Sequence, residues 1–454
     1  MKRILSLILC LFLILGLVAC GPKDKGTNNS QTGSDVSSTI TSSDASSSDN
    51  SSTDSSDSGS SSGSSSENTS SEEESIIVPM DAQYKAKNDA ILTKAQLDKA
   101  LKTKYVKPKN VIIMIGDGMG LSDVAISSKF SDFKFEYGLS FTQLPNVGKA
   151  TTNSLSGTTD SAASGTALAT GKKTHNSYVG MNNKGLPIEN VSEIARKNGK
   201  LVGVVTNDGI SGATPAAFIA HNISRNNGSE IRKDYVTFAP DVLIGKGSLS
   251  SFQDSVRGNA TLENTLANFN VATAITDFIN VIKGDSKREK KFLGLTSTVN
   301  FGSPNYDLAT ATQAALDRLD NDEKGFFLMV ENTGCDSYGH NTDAEHLKRV
   351  KGKVLNPALL DKAVAVAIKY CMNNPDTILI ITSDHETGGV SLPNKVNYEL
   401  DQVKFEHGAH SSQDVGVFAI GYGTEYFKGK TVDNTDIGKF LIAAVQGQQY
   451  KGED

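Results

Sequence analysis

Val111-Ile112-Ile113-Met114-Ile115, closed by Gly116-Asp117-Gly118, is the stretch whose character settles the architecture. Five apolar residues without polar alternation, rich in β-branched types, read as a strand buried on both faces. Four more runs share that character: Leu201-Val202-Gly203-Val204-Val205, Phe326-Phe327-Leu328-Met329-Val330, Thr377-Ile378-Leu379-Ile380-Ile381 and Val415-Gly416-Val417-Phe418-Ala419-Ile420. Helical stretches such as Ser192–Asn198 and Ala358–Met372 lie between them. Strand alternating with helix predicts an α/β fold, a mostly parallel central sheet with helices on both faces. The range from Arg232 to Lys291 matches no motif and reads as helix and loop decoration near the site.

The residues just after these strands carry chemistry. Asp117 comes after the first, Glu331 after Val330, and Ser383-Asp384-His385-Glu386 after Ile381. Ligands in open α/β sheets bind beyond the carboxyl ends of the strands. One acid there would be an ordinary solvated loop residue. Three strands delivering Asp, Glu and Asp-His to one rim, beside glycines that admit close backbone approach, favour a metal site. Further along, Asp336 and His340 stand four apart, one helical turn, and can share an ion. Glu406-His407-Gly408-Ala409-His410 offers another imidazole. Paired Asp and His groups with extra acids suit two zinc ions. Of the seven histidines, His175, His221 and His346 lack an acid at such spacing and read as structural or surface groups.

A nucleophile stands in Thr159-Asp160-Ser161-Ala162-Ala163-Ser164-Gly165, which runs on in small helix formers to Gly171. Asp160 or Thr159 would cap the helix start, and Gly171 fits its C-terminal stop. Ser161 would then lie where free amides and the helix dipole favour an oxyanion or phosphate. An Asp-Ser at a helix start is usually only a cap. No Gly-x-Ser-x-Gly elbow surrounds Ser161 and no His base is evident nearby, so a metal would have to activate this serine.

The N-terminus is a targeting segment. Lys2 and Arg3 precede an apolar run from Ile4 to Val18, short for a transmembrane helix. It ends in Leu17-Val18-Ala19-Cys20-Gly21, which resembles the lipobox of bacterial lipoproteins; an ordinary signal peptide or an uncleaved anchor are the alternatives. The resemblance implies removal of residues 1–19, a lipid on Cys20 and an extracytoplasmic, membrane-anchored protein. Residues 20–75 then form a stalk. From Ser30 to Ser75 about half the residues are Ser, a composition that predicts disorder. Some 50 such residues have an r.m.s. span of about 40 Å. Residues 76–454 make the catalytic domain. The net charge of −6 resides in the tail: residues 26–75 hold nine acids and no Lys or Arg. Nothing basic remains to favour nucleic acid. A multi-span membrane protein is excluded too. Cys335 and Cys371 are the cysteines of the folded part, and the sequence leaves open whether they pair.

Six motifs together resemble the alkaline phosphatase family: Asn110–Gly120, Asp160-Ser161-Ala-Ala-Ser, Ala213-Thr214-Pro215-Ala216-Ala217 with Arg225, Glu331 with Asp336 and His340, Thr382-Ser383-Asp384-His385, and His410-Ser-Ser-Gln-Asp-Val. They keep that family's order over residues 105–430. The resemblance implies one Zn²⁺ on Asp336, His340 and His410, and a second on Asp117, Asp384 and His385. His410 is chosen over His407 because the Ser-Ser-Gln-Asp-Val after it fits the family register. Ser161 becomes the metal-activated nucleophile and Arg225 the phosphate grip. A third site, for Mg²⁺, falls to Asp117, Thr214 and Glu331. The implied reaction is hydrolysis of small phosphate monoesters through a phosphoserine, and the resemblance allows a homodimer.

Two positions depart from the family. Gly212 stands two residues before Thr214, where relatives commonly carry Asp or His. That predicts a third ion lost on dialysis and held better by Gly212→Asp. Ser337 replaces a larger side chain, which bears on phosphate affinity and pH optimum. A phosphodiesterase on the same scaffold is the close alternative. A sulfatase fits less well, since Ser161-Ala162-Ala163 lacks the formylglycine context. A solute-binding lipoprotein is the alternative from another class, and it needs no Asp-His metal pairs.

Overall fold

The computed structural model describes residues 92–130, 138–285, 289–296, 308–320, 323–394 and 397–452. The expected signal segment, Cys20, the Ser-rich stretch and the expected domain start at Ile76 lie outside them. Fourteen strands occur among the described residues. In chain order they are β1 Asn110–Gly116, β2 Asn146–Thr151, β3 Leu201–Gly209, β4 Val242–Lys246, β5 Phe269–Ala272, β6 Lys291–Thr296 and β7 Phe326–Asn332. The rest are β8 Thr377–Thr382, β9 Glu386–Thr387, β10 Val390–Ser391, β11 Lys404–Phe405, β12 His410–Ser411, β13 Val415–Ile420 and β14 Thr431–Asp433. Ten of them form one sheet in the order β14-β2-β13-β8-β1-β7-β3-β4-β6-β5.

The decisive stretch sits in the middle as β1, parallel to β7 on one side and β8 on the other. Its residues alternate between two cores. Val111, Ile113 and Ile115 pack with Ala162 and Leu168 of the helix Ser161–Thr170 and with Ile437 and Leu441 of Asn434–Val445. Ile112 and Met114 pack with Ala363, Val364 and Ala367 of His346–Asn373 and with Ala311 and Ala315 of Leu308–Leu319. Each fully buried Ile contributes about 1.5–3 kcal/mol, so helices on both faces are what this strand demands.

Three expectations change. Val415–Ile420 reads like the parallel strands, yet β13 runs antiparallel to both β8 and β2. An unbroken apolar run reports burial on both faces, and β13 is wholly buried; it does not report direction. The helix expected from Ala358 starts at His346 and passes through Pro357. Proline suits the first turn of a helix, so the sequence suggests a start there. The interior proline is tolerated here in a helix whose turn is fixed by burial on the sheet. Finally, residues 232–291 are not helix and loop alone. They supply β4 and β5 and lead into β6, which extend the parallel sheet beyond β3. Their apolar runs, Val242-Leu243-Ile244 among them, are too short to stand out. Cys335 and Cys371 are separate, buried free thiols.

Candidate active site

Strand register brings the site together. Ile115 of β1 lies level with Glu331 of β7 and Thr382 of β8, and Thr206 of β3 lies level with Glu331. The residues just beyond, Asp117, Asp384 and His385, therefore emerge on one rim. Gly118 makes the turn possible. Its φ is +69°, and a Cβ there would lie 2.6 Å from the Asp336 backbone nitrogen. The turn is then tied down: Asp117 N–H donates to Asn332 O at 2.8 Å, Asp336 N–H to Asp117 O at 2.9 Å, and Gly118 N–H to Asp384 Oδ1 at 3.1 Å.

One cluster is Asp117, Asp384 and His385, all buried, with ligand atoms within 4.8 Å of one another. His385 Nε2 lies 3.2 Å from Asp384 Oδ2 and 3.7 Å from Asp117 Oδ1. A second cluster forms on the helix Gly334–His340, where Asp336 Oδ1 is 3.1 Å from His340 Nε2 and 3.2 Å from His410 Nε2. The two Nε2 atoms are 2.9 Å apart. His385 also comes within ligand range of Asp336 and His410, and its ring stacks on His410 at 3.6 Å.

The far sides of these rings set their protons. His340 Nδ1 donates to Gly408 O at 2.7 Å, and His410 Nδ1 donates to Thr159 O at 2.8 Å. A carbonyl can only accept, so Nδ1 keeps its proton and Nε2, on the Asp336 side, is the ring nitrogen that would take a cation in exchange for its own proton. That is how metal-binding imidazoles are held. The acids fit as well. Asp117 Oδ1, Asp384 Oδ2 and Glu331 Oε1 are buried and receive no hydrogen bond. Burial, then the nearby acids, push the Asp117 and Glu331 carboxyls well above their usual range. Asp336 goes the other way. Burial works to raise it, but hydrogen bonds from His340 and His410 hold it below the usual range. Oxygen and nitrogen donors crowded without a counter-charge are what a divalent cation would satisfy.

Ser161 opens the helix Ser161–Thr170, and its Oγ lies 3.2 Å from His385 Nε2. An imidazole is therefore near after all, delivered from 224 residues away in the chain. Asp160 is the N-cap: Oδ1 accepts from Ala163 N–H at 2.9 Å, and Oδ2 accepts from Ser177 N–H at 2.9 Å and Arg225 Nη1 at 3.2 Å. Asp160, the residue before the serine, thus holds Arg225 as well as the helix start. Every residue of this helix is small or buried, and Gly171 ends it at φ +67°.

Of the third expected set, Glu331 faces the Thr206 and Thr214 hydroxyls, and the Thr206 hydroxyl donates to Glu331 Oε2. Position 212 is not the gap that its glycine suggests, because Asp208 has its carboxylate there. Ser337 lies in the same short helix as Asp336. His407 stays out of both clusters; its Nδ1 accepts from Ala409 N–H. His221 bonds Gly180 O and Glu193, while His175 and His346 sit edge-on to Tyr178 and Phe405.

Sequence reasoning missed three participants. Thr387 donates to Asp336 Oδ1 at 2.7 Å and lies 3.2 Å from His385 Nδ1, so one hydroxyl links the clusters. Fully buried Lys353 binds Gly118 O, Thr387 O and Asp123 Oδ2 at 3.2, 2.8 and 3.1 Å. It staples the Gly118 turn to the Thr387 strand. A lysine within a helix gives no sign of this in sequence. Asp208 could have been noticed as one more acid at a strand end.

Fold and site define an α/β protein with adjacent Asp-His clusters around a buried serine at a helix start. The alkaline phosphatase family model matches residues 108–241 and 277–408, more than half of the chain. The chain is 32% identical over 321 residues to alkaline phosphatase 4 of Bacillus subtilis, covering 65% of this chain and 66% of that protein. It is 32% identical over 300 residues to alkaline phosphatase 3 of the same organism, 63% and 62% of the two chains. A mutant of the alkaline phosphatase from the Antarctic bacterium TAB5, solved with Mg bound in its M3 site, superposes with a TM-score of 0.64 at 28% identity. The superposition covers 76% of this chain and all of that one. The chain belongs to the alkaline phosphatase family. It spans just under two thirds of the length of the Bacillus relatives.

Proposed function

We propose that the protein is an extracytoplasmic, metal-dependent phosphomonoesterase that frees inorganic phosphate through a phosphoserine at Ser161. The observation that carries this is the position of Ser161 Oγ: at a helix start, beside His385, with Arg225 held by the adjoining Asp160. Asp336, His340 and His410 would hold one Zn²⁺, and Asp117, Asp384 and His385 another. Mg²⁺ suits the oxygen donors Asp117, Thr214 and Glu331. When bound, these ions supply Lewis acidity and make serine and water competent nucleophiles near neutral pH. Ser161 Oγ bonds to phosphorus as the alcohol leaves; water then displaces Ser161 and phosphate departs. The helix amides and the Arg225 fork stabilise the equatorial oxygens throughout. The names of the Bacillus relatives support the phosphatase reading.

Assay of the purified protein on an aryl phosphate monoester and the matching diester, with and without chelator, tests it. Chelator-sensitive turnover that favours the monoester is expected. Faster diester cleavage would make it a phosphodiesterase, and binding without turnover or metal would make it a solute-binding lipoprotein.

The lipobox at Cys20 and the Ser-rich stretch support a lipid anchor on the outer side of a membrane. Cys20→Ala is expected to move the enzyme into the soluble fraction with turnover unchanged. Variant protein that stays with the membrane argues against the lipid.

A further inference from the structure

We infer that Asp208 supplies the carboxylate that Gly212 cannot, completing the third cation site with Asp117, Glu331 and Thr214. The inference rests on the metal reading above and replaces the expectation of a weakened site.

Gly212 caps the helix Ala213–Ala217, and its N–H donates to Gly209 O at 2.7 Å. That tight turn folds the chain back on the end of β3. A Cβ built on Gly212 would collide with Asp208 Oδ2 and stand 2.9 Å from Gly209 O. The volume that a side chain at 212 would enter is therefore already filled, by a carboxylate from four residues earlier. The glycine and the acid are complementary. Asp208 fits because position 212 has no side chain.

The Asp208 carboxylate accepts from the Gly209 N–H, and the backbone at 208 is tied toward the site. Asp208 N–H donates to Thr206 Oγ1 at 2.8 Å, and that hydroxyl donates onward to Glu331 Oε2. Independent of Asp208, Asp117 Oδ1 is buried there and receives no hydrogen bond, and the buried Glu331 Oε1 and Thr214 Oγ1 have no partner beyond each other. These are donors waiting for a hard cation. After burial, the Asp208 charge is the largest cause of the raised Glu331 carboxyl, and it also raises Asp117. The three acids thus lie close enough to feel one another's charge. Arg225 and Lys246 are the cations that face Asp208, with Asp336 a further acid beside it. Neither cation lies within ion-pair distance of it among the described residues. A purely structural salt bridge therefore does not account for its place. Hard-cation affinity follows the number of charged ligands, and a third carboxylate restores the number lost at Gly212.

The test uses the full zinc-loaded protein, Mg²⁺ titration by calorimetry, and elemental analysis after dialysis. Asp208→Asn keeps the shape and removes the charge. It is expected to weaken Mg²⁺ binding by about 10–100-fold while zinc content stays that of the parent. Gly212→Asp alone should not tighten Mg²⁺, since its side chain meets Asp208. Asp208→Ala combined with Gly212→Asp moves the carboxylate across the turn and should return Mg²⁺ affinity to that of the parent. Unchanged Mg²⁺ affinity in Asp208→Asn overturns the inference, and so does a phosphate-binding defect with Mg²⁺ intact, which would make Asp208 a partner of Arg225. Should Asp208→Asn fail to fold, the double variant decides: Mg²⁺ bound as in the parent supports the inference and Mg²⁺ lost overturns it. A parent protein that takes up no zinc would instead sink the metal reading itself.

Discussion

Ser161→Ala is expected to abolish the covalent phosphoenzyme and to lower monoester turnover by at least about 10³-fold, the scale on which removal of a nucleophile acts. The helix start survives this change, because the cap is Asp160 and its bond to Ala163 N–H is untouched. Arg225 stays in place as well, since Asp160 Oδ2 holds it. The change deletes one oxygen, 3.2 Å from His385 Nε2, with no other hydroxyl hydrogen-bonded to that nitrogen among the described residues. Incubation with inorganic phosphate, an acid quench and peptide mass analysis read the result directly. Wild-type protein should carry added phosphate on the Ser161 peptide and the variant none. Phosphate on another residue, or turnover near that of wild type, would remove Ser161 from the chemistry.

Metal removal should have the second large effect, on stability as well as activity. A ligand present at 1,000 times its Kd stabilises the folded state by about 4 kcal/mol, and stripping the site returns that amount. Here the cost has a visible cause: Asp117, Asp384 and Glu331 are buried together with oxygens that no hydrogen bond satisfies. The stripped protein should also acquire a pH dependence of defined sign. Burial, then neighbouring acids, raise the Asp117 and Glu331 carboxyls above their unfolded values. A group raised in the folded state stabilises below its unfolded pKa and loses that contribution as pH climbs through the folded one. His340, raised chiefly by its hydrogen bond with Asp336, acts in the same direction. His385, lowered by burial, opposes them only as pH falls below its unfolded value. The apo protein should therefore melt at progressively lower temperature from mildly acidic to alkaline pH, and Zn²⁺ should remove the trend. Calorimetry with metal content verified by elemental analysis checks both parts. A melting temperature indifferent to chelation would contradict paired cation sites.

The sheet centre and most of the site vocabulary were legible in the chain. Val111–Ile115 and the four runs like it are local signals: apolar residues without alternation, ended by Gly, Asp or Ser, say strand and rim by themselves. Ser161 at a capped helix start is local too, and so is the four-residue spacing of Asp336 and His340. Features set by contacts between distant parts of the chain were not legible. The reversed direction of β13 depends on which strands flank it, and burial looks the same either way. The Ser161–His385 contact spans 224 positions, so no spacing rule reaches it. Lys353 joins a turn and a strand from a distant helix, and in the sequence it is one lysine among many. Gly212 and Asp208 show the division most clearly. The sequence by itself showed a missing side chain at 212. Only the tertiary structure decided that Asp208 occupies its place, because which atoms fill a volume depends on how the chain turns back at Gly209.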